Sequence, residues 1–374
     1  MDYGVFKSEP AVFAVENTYH IMVPVNVPAL MWVCVGNEEY YDDSNGILRS
    51  DTEIHKMVVP MDELDKTKEY TICYRRVIDR KAYFSETGEI CRKSFKFRPV
   101  TGDTVCAYQL ADTHNMIDEP VNAAANFEKK YGETDFLILN GDIIENSQDI
   151  EKFDNIYEIA SKITHGCKPI VFSRGNHDLR GICAEKLEDY TPCNNGFSYY
   201  SFRLGCIWGI VLDCGEDKDD THAEYGNTIC CHNFRKRETK YIENIVKNAE
   251  KEYLVESVKH RISIVHNPFT RRVKEPFSIE HEIYRHWAKM LRDDIKADVM
   301  ISGHEHRLDV EYPNGELDGL GHPCPVVVGS KPVNNSDGCI RSFTGSGFIF
   351  NNHGIKVVFN DDCGEFYEEH FIEK

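Results

Sequence analysis

The chain contains no long uninterrupted apolar run, which removes two classes of protein at once. Its most apolar early segment, Ile21 to Val35, is broken by Pro24, Asn26 and Pro28 and is followed by acidic residues rather than a small-residue cleavage site. It fits neither a membrane span nor a secretory signal, so no membrane partner is expected. Basic residues are also scarce, with Lys+Arg at 43 against 62 Asp+Glu and a net charge of -19. Such a field repels polyphosphates, so nucleic acid is not expected either, although a metal site could reverse the sign locally. Fourteen cysteines include no C-x-x-C pair. With no export signal they read as reduced, mostly buried thiols of a cytoplasmic protein, and the adjacent Cys230-Cys231 reads as chance in a cysteine-rich chain. Internal repeats and low-complexity segments are absent too.

What remains is the composition of an ordinary globular protein, 41% hydrophobic and 28% charged over 374 residues, long enough for two domains. From residue 1 to about Val100 there are strand signals and no convincing helix: His20 to Val27, Leu30 to Gly36, Ile54 to Met61, Glu69 to Val77 and Lys93 to Arg98. That spacing predicts an antiparallel β-sandwich over 1–100. Pro99-Val100-Thr101-Gly102-Asp103 reads as a linker to a second domain over 104–374. There the rhythm becomes strand, loop, helix: strand Thr104 to Ala111, helix Pro120 to Lys130, strand Phe136 to Asn140, helix Ser147 to Thr164, strand Pro169 to Ser173. This predicts an α/β unit with parallel strands. Strands at Tyr199 to Leu204 and Cys206 to Leu212, a helix at Phe234 to Leu254, a strand at Arg261 to Val265, a helix at Glu280 to Ile295 and a strand at Val299 to Ser302 follow. A β-rich end runs from Pro325 to Ile372, with a hairpin turn at Asn352-His353-Gly354.

The informative residues follow the strands of the second region. They are Asp112-Thr113-His114, Gly141-Asp142, Gly175-Asn176-His177-Asp178, His266 and Gly303-His304-Glu305-His306. Each piece alone is weak, since Gly-Asp or a lone histidine after a strand is common. Five strands in order, each delivering Asp, Asn or His at its C-terminal end, form a strong signal, because that end of an open α/β sheet is where ligands sit. Carboxylate, amide and imidazole together suit Mn, Fe or Zn rather than the all-oxygen cages of Ca or Mg. Seven such groups exceed the needs of one ion, so two metals sharing a carboxylate are predicted.

This order of motifs resembles the calcineurin-like metallophosphoesterase superfamily. The resemblance implies a four-layer α/β/β/α sandwich and two divalent ions that activate water against a phosphate ester. It implies that Asp112, His114 and His306 hold one metal, that Asn176, His266 and His304 hold the other, and that Asp142 bridges them. His177 corresponds to the catalytic histidine that is not a ligand, with Asp178 holding its ring. The β region before this unit is similar in layout to that of purple acid phosphatases, and is expected to be fibronectin III-like. One departure is Glu145, which stands where that subgroup has a metal-ligating tyrosine. The metals expected are therefore Mn, or Mn with Fe, and Glu145 itself reads as solvent-facing or at a helix start.

Other residues are set aside on their bland readings. Asp213 to Asp220 reads as a solvated acidic loop, and Arg174 and Arg180 as surface or structural pairs, although either arginine could meet a substrate phosphate. The expectation is a phosphomonoesterase acting on a small phosphorylated substrate. The alternatives are a phosphodiesterase, or a non-catalytic interaction protein that retains the fold.

Overall fold

The computed structural model describes residues 4–334 and 341–374. The apolar runs assemble into a ten-stranded, a six-stranded and a five-stranded sheet beside one two-stranded ribbon. In the middle of the largest sheet, Val105–Leu110, Phe136–Asn140 and Ile170–Ser173 lie parallel in that order. They are almost wholly buried, which is why each reads as a continuous apolar run rather than an alternating one. Arg341–Asn351, Gly354–Asp361 and Phe366–Glu373 extend the sheet antiparallel on one side.

On the other side the sheet continues into the first hundred residues. Ala11–Val15 pairs parallel with Ile170–Ser173, bringing Phe13 opposite Ile170, and Thr18–Pro24 and Ile54–Pro60 follow antiparallel. This departs from the expected self-contained sandwich. The segment Ala-Val-Phe-Ala-Val is buried at every position, so it carries none of the alternation by which a half-buried strand is recognised. Ala29–Val35, Glu38–Tyr41, Glu69–Asp79 and Cys91–Lys96 form the second N-terminal sheet. Its Met31, Val33, Tyr70 and Ile72 share one core with Tyr19, Ile21, Met57 and Val59 of the large sheet. A short helix, Met61–Thr67, also occurs where none was expected.

Helices Asp118–Tyr131 and Asp154–Thr164 cover one face of the large sheet through Ala123, Phe127, Ile156 and Ile159. On the opposite face, Ala107, Ile138 and Val171 pack against Val211, Ile264 and Ile301 of the six-stranded sheet. The outer face of that sheet, with Trp208, Ile210 and Met300, lies under helices Cys231–Lys247 and His281–Lys289. The fold is mixed α/β. Three helical boundaries differ from the sequence reading. The helix expected from Ser147 opens as a tight turn at Ile150–Phe153. The one expected to reach Leu254 stops at Lys247, leaving Leu254 exposed. The third passes into a wider π turn over Met290–Ile295.

Candidate metal centre

Two sheets present the C-terminal ends of their parallel strands to one place, and buried amides stitch them there. Asn140 donates Nδ2–H to the Ile301 carbonyl at 3.1 Å, and Gln109 donates to the Ser302 carbonyl at 2.8 Å. All five motif loops therefore converge. Asp112, His114, Asp142, His304 and His306 adopt left-handed backbone, with φ from 43° to 69°. Such conformations are costly for residues with a side chain, and they cluster where function over-determines them. The glycines of these loops allow close approach: a Cβ on Gly175 would meet Asp142 Oδ1 at 2.1 Å, and one on Gly303 would meet Asp112 Oδ2 at 2.8 Å.

The side chains form three groups, Asp112–His114–His306, His114–Asp142–His177 and Asp142–His266–His304, with the ligand atoms of each group within 4.8 Å of one another. Nε2 of His114 is 3.1 Å from Nε2 of His306, which is 3.4 Å from Asp112 Oδ1. Asn176 Oδ1 is 3.0 Å from His304 Nδ1. Backbone amides fasten the carboxylates: His177 N–H donates to Asp142 Oδ1 at 2.9 Å, and His304 N–H to Asp112 Oδ2 at 2.9 Å.

His266 tests whether these groups suit a cation. Its Nδ1 donates to the Asn140 carbonyl at 2.7 Å, so Nε2 carries the lone pair of the neutral ring. That Nε2 is buried without a hydrogen-bond partner, 3.1 Å from Asp142 Oδ2 and 3.8 Å from Asp112 Oδ1. Three electron-rich atoms converge on one point, which demands positive charge between them. Burial alone would lower the His266 pKa, yet the two carboxylates raise it to about 10. Asp142 titrates well below the usual carboxylate range; burial opposes this, and His266 outweighs it. Burial holds His114 and His304 below the usual imidazole value, which keeps them neutral as ligands must be. His306 is raised by its hydrogen bond to Asp112. The donor set and its orphaned nitrogen fit metal ions.

The sequence model of the calcineurin-like phosphoesterase family matches residues 100–308. The chain belongs to that family. The calcineurin-like phosphoesterase is similar in structure to the purple acid phosphatase PPD1 from yellow lupin (Lupinus luteus) seeds. The two share 13% identity at a TM-score of 0.60, over 97% of this chain and 74% of the other. A second match, the Vps29 D62A mutant of Entamoeba histolytica, has 8% identity and a TM-score of 0.34 over 71% of this chain and 99% of that one, too low to support an argument. No curated protein matches the sequence.

The phosphoesterase holds His177 differently from the expectation. Asp178 does not reach the ring. It is fully buried and accepts the Gly175 N–H at 2.7 Å, and burial together with the Asp142 charge raises its pKa to about 7. The ring is held by the Glu145 carbonyl, 2.8 Å from Nδ1, with Arg180 Nη1 3.2 Å from Nε2. Glu145 lies outside any helix, and its half-exposed carboxylate reaches within 3.0 Å of His114 Nδ1. Neither arginine beside the motif is free for substrate. Arg174 pairs with Asp213 at 2.6 Å, and Arg180 is held by both oxygens of Glu216 at 2.8 and 3.0 Å.

Those partners belong to the loop that reads as solvated. Asp213, Glu216 and Asp217 are instead buried, and Asp217 Oδ2 lies 3.6 Å from His304 Nε2. Helix Cys231–Lys247 anchors the loop: buried Glu238 accepts the Asp213 N–H at 2.8 Å, and buried Arg235 donates to the Cys214 carbonyl at 2.7 Å. The sequence carries a signal for this. Arg235 and Glu238 fall on the same helix face as Cys231, Ile242 and Ile245, and charges on an inward face need buried partners.

Proposed function

We propose that this phosphoesterase is a dinuclear metal-dependent phosphohydrolase acting first on small phosphomonoesters. The observation that carries the reading is the pair of separate ligand triads, Asp112–His114–His306 and Asp142–His266–His304, in one convergent cluster. In this assignment Asp112, His114 and His306 hold one ion, His266, His304 and Asn176 the other, and Asp142 is shared. When bound, two divalent ions supply an acidified water and positive charge for the phosphoryl oxygens. The mixed nitrogen and oxygen donors favour Mn, Fe or both, with Zn as a further candidate. Thirteen described cysteines are free thiols, which supports a cytoplasmic reading. Among the described residues no helix is long and apolar enough to cross a membrane. The order helix, sheet, sheet, helix supports the four-layer sandwich, and the first hundred residues read as a fibronectin-like module whose sheet is fused to it.

The chain's own groups then have distinct tasks. Asp142 and Asp112 draw and hold positive charge, and the buried Asn140 fixes the His266 tautomer through its carbonyl. His177 keeps Nδ1–H on the Glu145 carbonyl and presents Nε2 to the cluster, 4.0 Å from Asp142 Oδ2. That nitrogen is the one to hand a proton to the leaving oxygen. A guanidinium is donor-only, so Arg180 must release Nε2 before it can carry that proton, and the two-pronged grip of Glu216 gives Arg180 somewhere to remain.

A diester is the second substrate class, because a cavity of about 740 Å³ beside His304 and His306 leaves room for another ester arm. The test is hydrolysis of a chromogenic phosphomonoester and a phosphodiester by metal-stripped protein refilled with Mn, with His177→Ala as control. Metal-dependent turnover that collapses in the control supports the enzyme, and the faster substrate names the class. No turnover of either ester with two metals bound per chain overturns it in favour of an interaction protein retaining the fold.

A further inference from the structure

The cavity beside the cluster has its own chemistry. His304 and His306 stand in its wall, and the same wall carries Arg272, Lys274, Arg285 and Arg307. All four side chains are exposed to the cavity or its mouth. Among the described residues none of their cationic groups is in an ion pair or makes a side-chain hydrogen bond. The arginines elsewhere around the cluster are different. Arg174 is held by Asp213, Arg180 by Glu216 and Arg235 by Glu280. Arg271, also in the cavity wall but buried, is held by Glu305 and Glu311 at 3.1 Å each. Of the carboxylates in that wall, Glu305 is thus engaged, and Asp217 accepts from Tyr225 at 3.2 Å and faces Lys218 at 3.6 Å.

Exposed cations without partners are common on this chain, but here four of them line one cleft next to the ligand cluster, where like charges gain from an anion between them. The cavity wall carries Arg271, Arg272, Lys274, Arg285 and Arg307 against only Asp217 and Glu305, the opposite balance to that of the whole chain. Val273 and Phe277, 36% and 41% exposed, lie between these cations and give the cleft an apolar wall as well.

We propose that this cleft is a second anion subsite, so that the substrate is a small organic phosphate bearing at least one further phosphate group besides the one placed at the ligand cluster. The proposal rests on the hydrolase reading for its substrate, but the subsite can be judged without turnover. Guanidinium and ammonium groups are the usual partners of a phosphate, and an organic skeleton between two phosphates would lie along Phe277 and Val273.

The test uses the full chain, the double variant Arg272→Ser/Arg285→Ser, and two probes, a nucleoside 5′-monophosphate and the matching 3′,5′-bisphosphate. With Mn-loaded parent protein, kcat/KM for the bisphosphate is expected to exceed that for the monophosphate by about tenfold, through KM, and the variant is expected to lose most of that preference. Calorimetric titration of the bisphosphate into metal-free protein reads the cleft alone. There the variant should bind about tenfold more weakly, as should the parent when NaCl rises from about 50 to about 300 mM. Because all of these side chains are exposed, thermal melting of the variant should match the parent. Absent or equal binding of the bisphosphate in parent and variant overturns the subsite, whatever the enzyme hydrolyses. Binding that depends on the two arginines with no hydrolysis of either probe keeps the subsite and overturns the hydrolase reading instead.

Discussion

Nη1 of Arg180 lies 3.2 Å from Nε2 of His177, and because a guanidinium can only donate, that imidazole nitrogen accepts. The other nitrogen, Nδ1, then carries the proton and donates it to the Glu145 carbonyl at 2.8 Å. Both ends of the ring are thus defined by groups other than Asp178. In the proposed assignment Arg180 is a positioning residue and His177 the group nearest the chemistry. His177→Ala should lower kcat by about 10²–10⁴ while leaving the metal content of the purified protein unchanged. Arg180→Ala should cost roughly ten- to a hundredfold in kcat, also without metal loss, and Arg180→Lys should recover part of it. Kinetics paired with elemental analysis decides the case; loss of metal in either variant would show that the residue supports the cluster itself.

His266 Nε2, Asp142 Oδ2 and Asp112 Oδ1 converge within 3.1–3.8 Å on a point that calls for positive charge, so removing cations should be felt as lost stability. A ligand that binds only the folded state stabilises it by about 2.7 kcal/mol at a hundredfold excess over its Kd. Chelation should therefore lower Tm by several degrees, and adding back Mn should restore it in a concentration-dependent way. An identical melting curve with chelator and with Mn would contradict the metal assignment.

The site was more legible in the sequence than the fold around it. Each of the seven proposed ligands and His177 falls at a strand end, and all but His266 lie in a loop where an apolar run is ended by Asp or by a glycine within two residues, a strictly local pattern. The strand Ala11–Val15 carries no legible signal because burial on both faces erases alternation, and its partner Ile170–Ser173 is far away in sequence. The burial of the acidic loop is hidden from the sequence for a related reason. Charge density signals solvent only when no buried partner exists, and Arg235, Glu238 and Tyr225 come from elements that only tertiary packing brings to Asp213, Glu216 and Asp217.

Gly175 offers a local test of the cluster. Its Cα is so close to Asp142 that an added Cβ would meet Asp142 Oδ1 at 2.1 Å and the Asp142 backbone nitrogen at 2.4 Å. Gly175→Ala must push that carboxylate away, so bound metal should fall below two per chain and activity should fall with it. Gly88→Ala is the control, since a Cβ there meets nothing closer than 3.7 Å. Full metal occupancy in Gly175→Ala would remove Asp142 from the shared position.

A pH dependence should come from His20, which is buried in the strand Thr18–Pro24 with Nδ1 lacking a partner. Burial, reinforced by the Lys56 charge, lowers its pKa from 6.5 to about 3. The unfolded chain takes up this proton below about pH 6.5 and the folded chain does not, so stability is complete above that pH and falls as the pH drops toward 3. At pH 5 the loss amounts to about 2 kcal/mol. His20→Leu should flatten the fall of Tm between pH 7 and pH 5 relative to the parent. An equal slope in the two proteins would assign the acid sensitivity to other groups.

The junction between the first hundred residues and the rest sets the last expectation. Ala11–Val15 sits between Ile170–Ser173 and Thr18–Pro24, so cutting the chain at the linker removes three strands from the large sheet and uncovers the edge of Ile170–Ser173. Phe172 loses its edge-on contact with Phe13, and Ile170 and Val171 lose their cover. Large apolar side chains are worth about 1.5–3 kcal/mol each when buried, and an unpaired apolar edge strand is a template for aggregation. Residues 104–374 expressed alone should therefore be aggregated or unfolded, with the cluster unable to retain metal, because Asn176 and His177 directly follow the strand laid bare. A monodisperse, cooperatively melting fragment in size-exclusion chromatography and calorimetry would show instead that the catalytic region closes without its N-terminal strands.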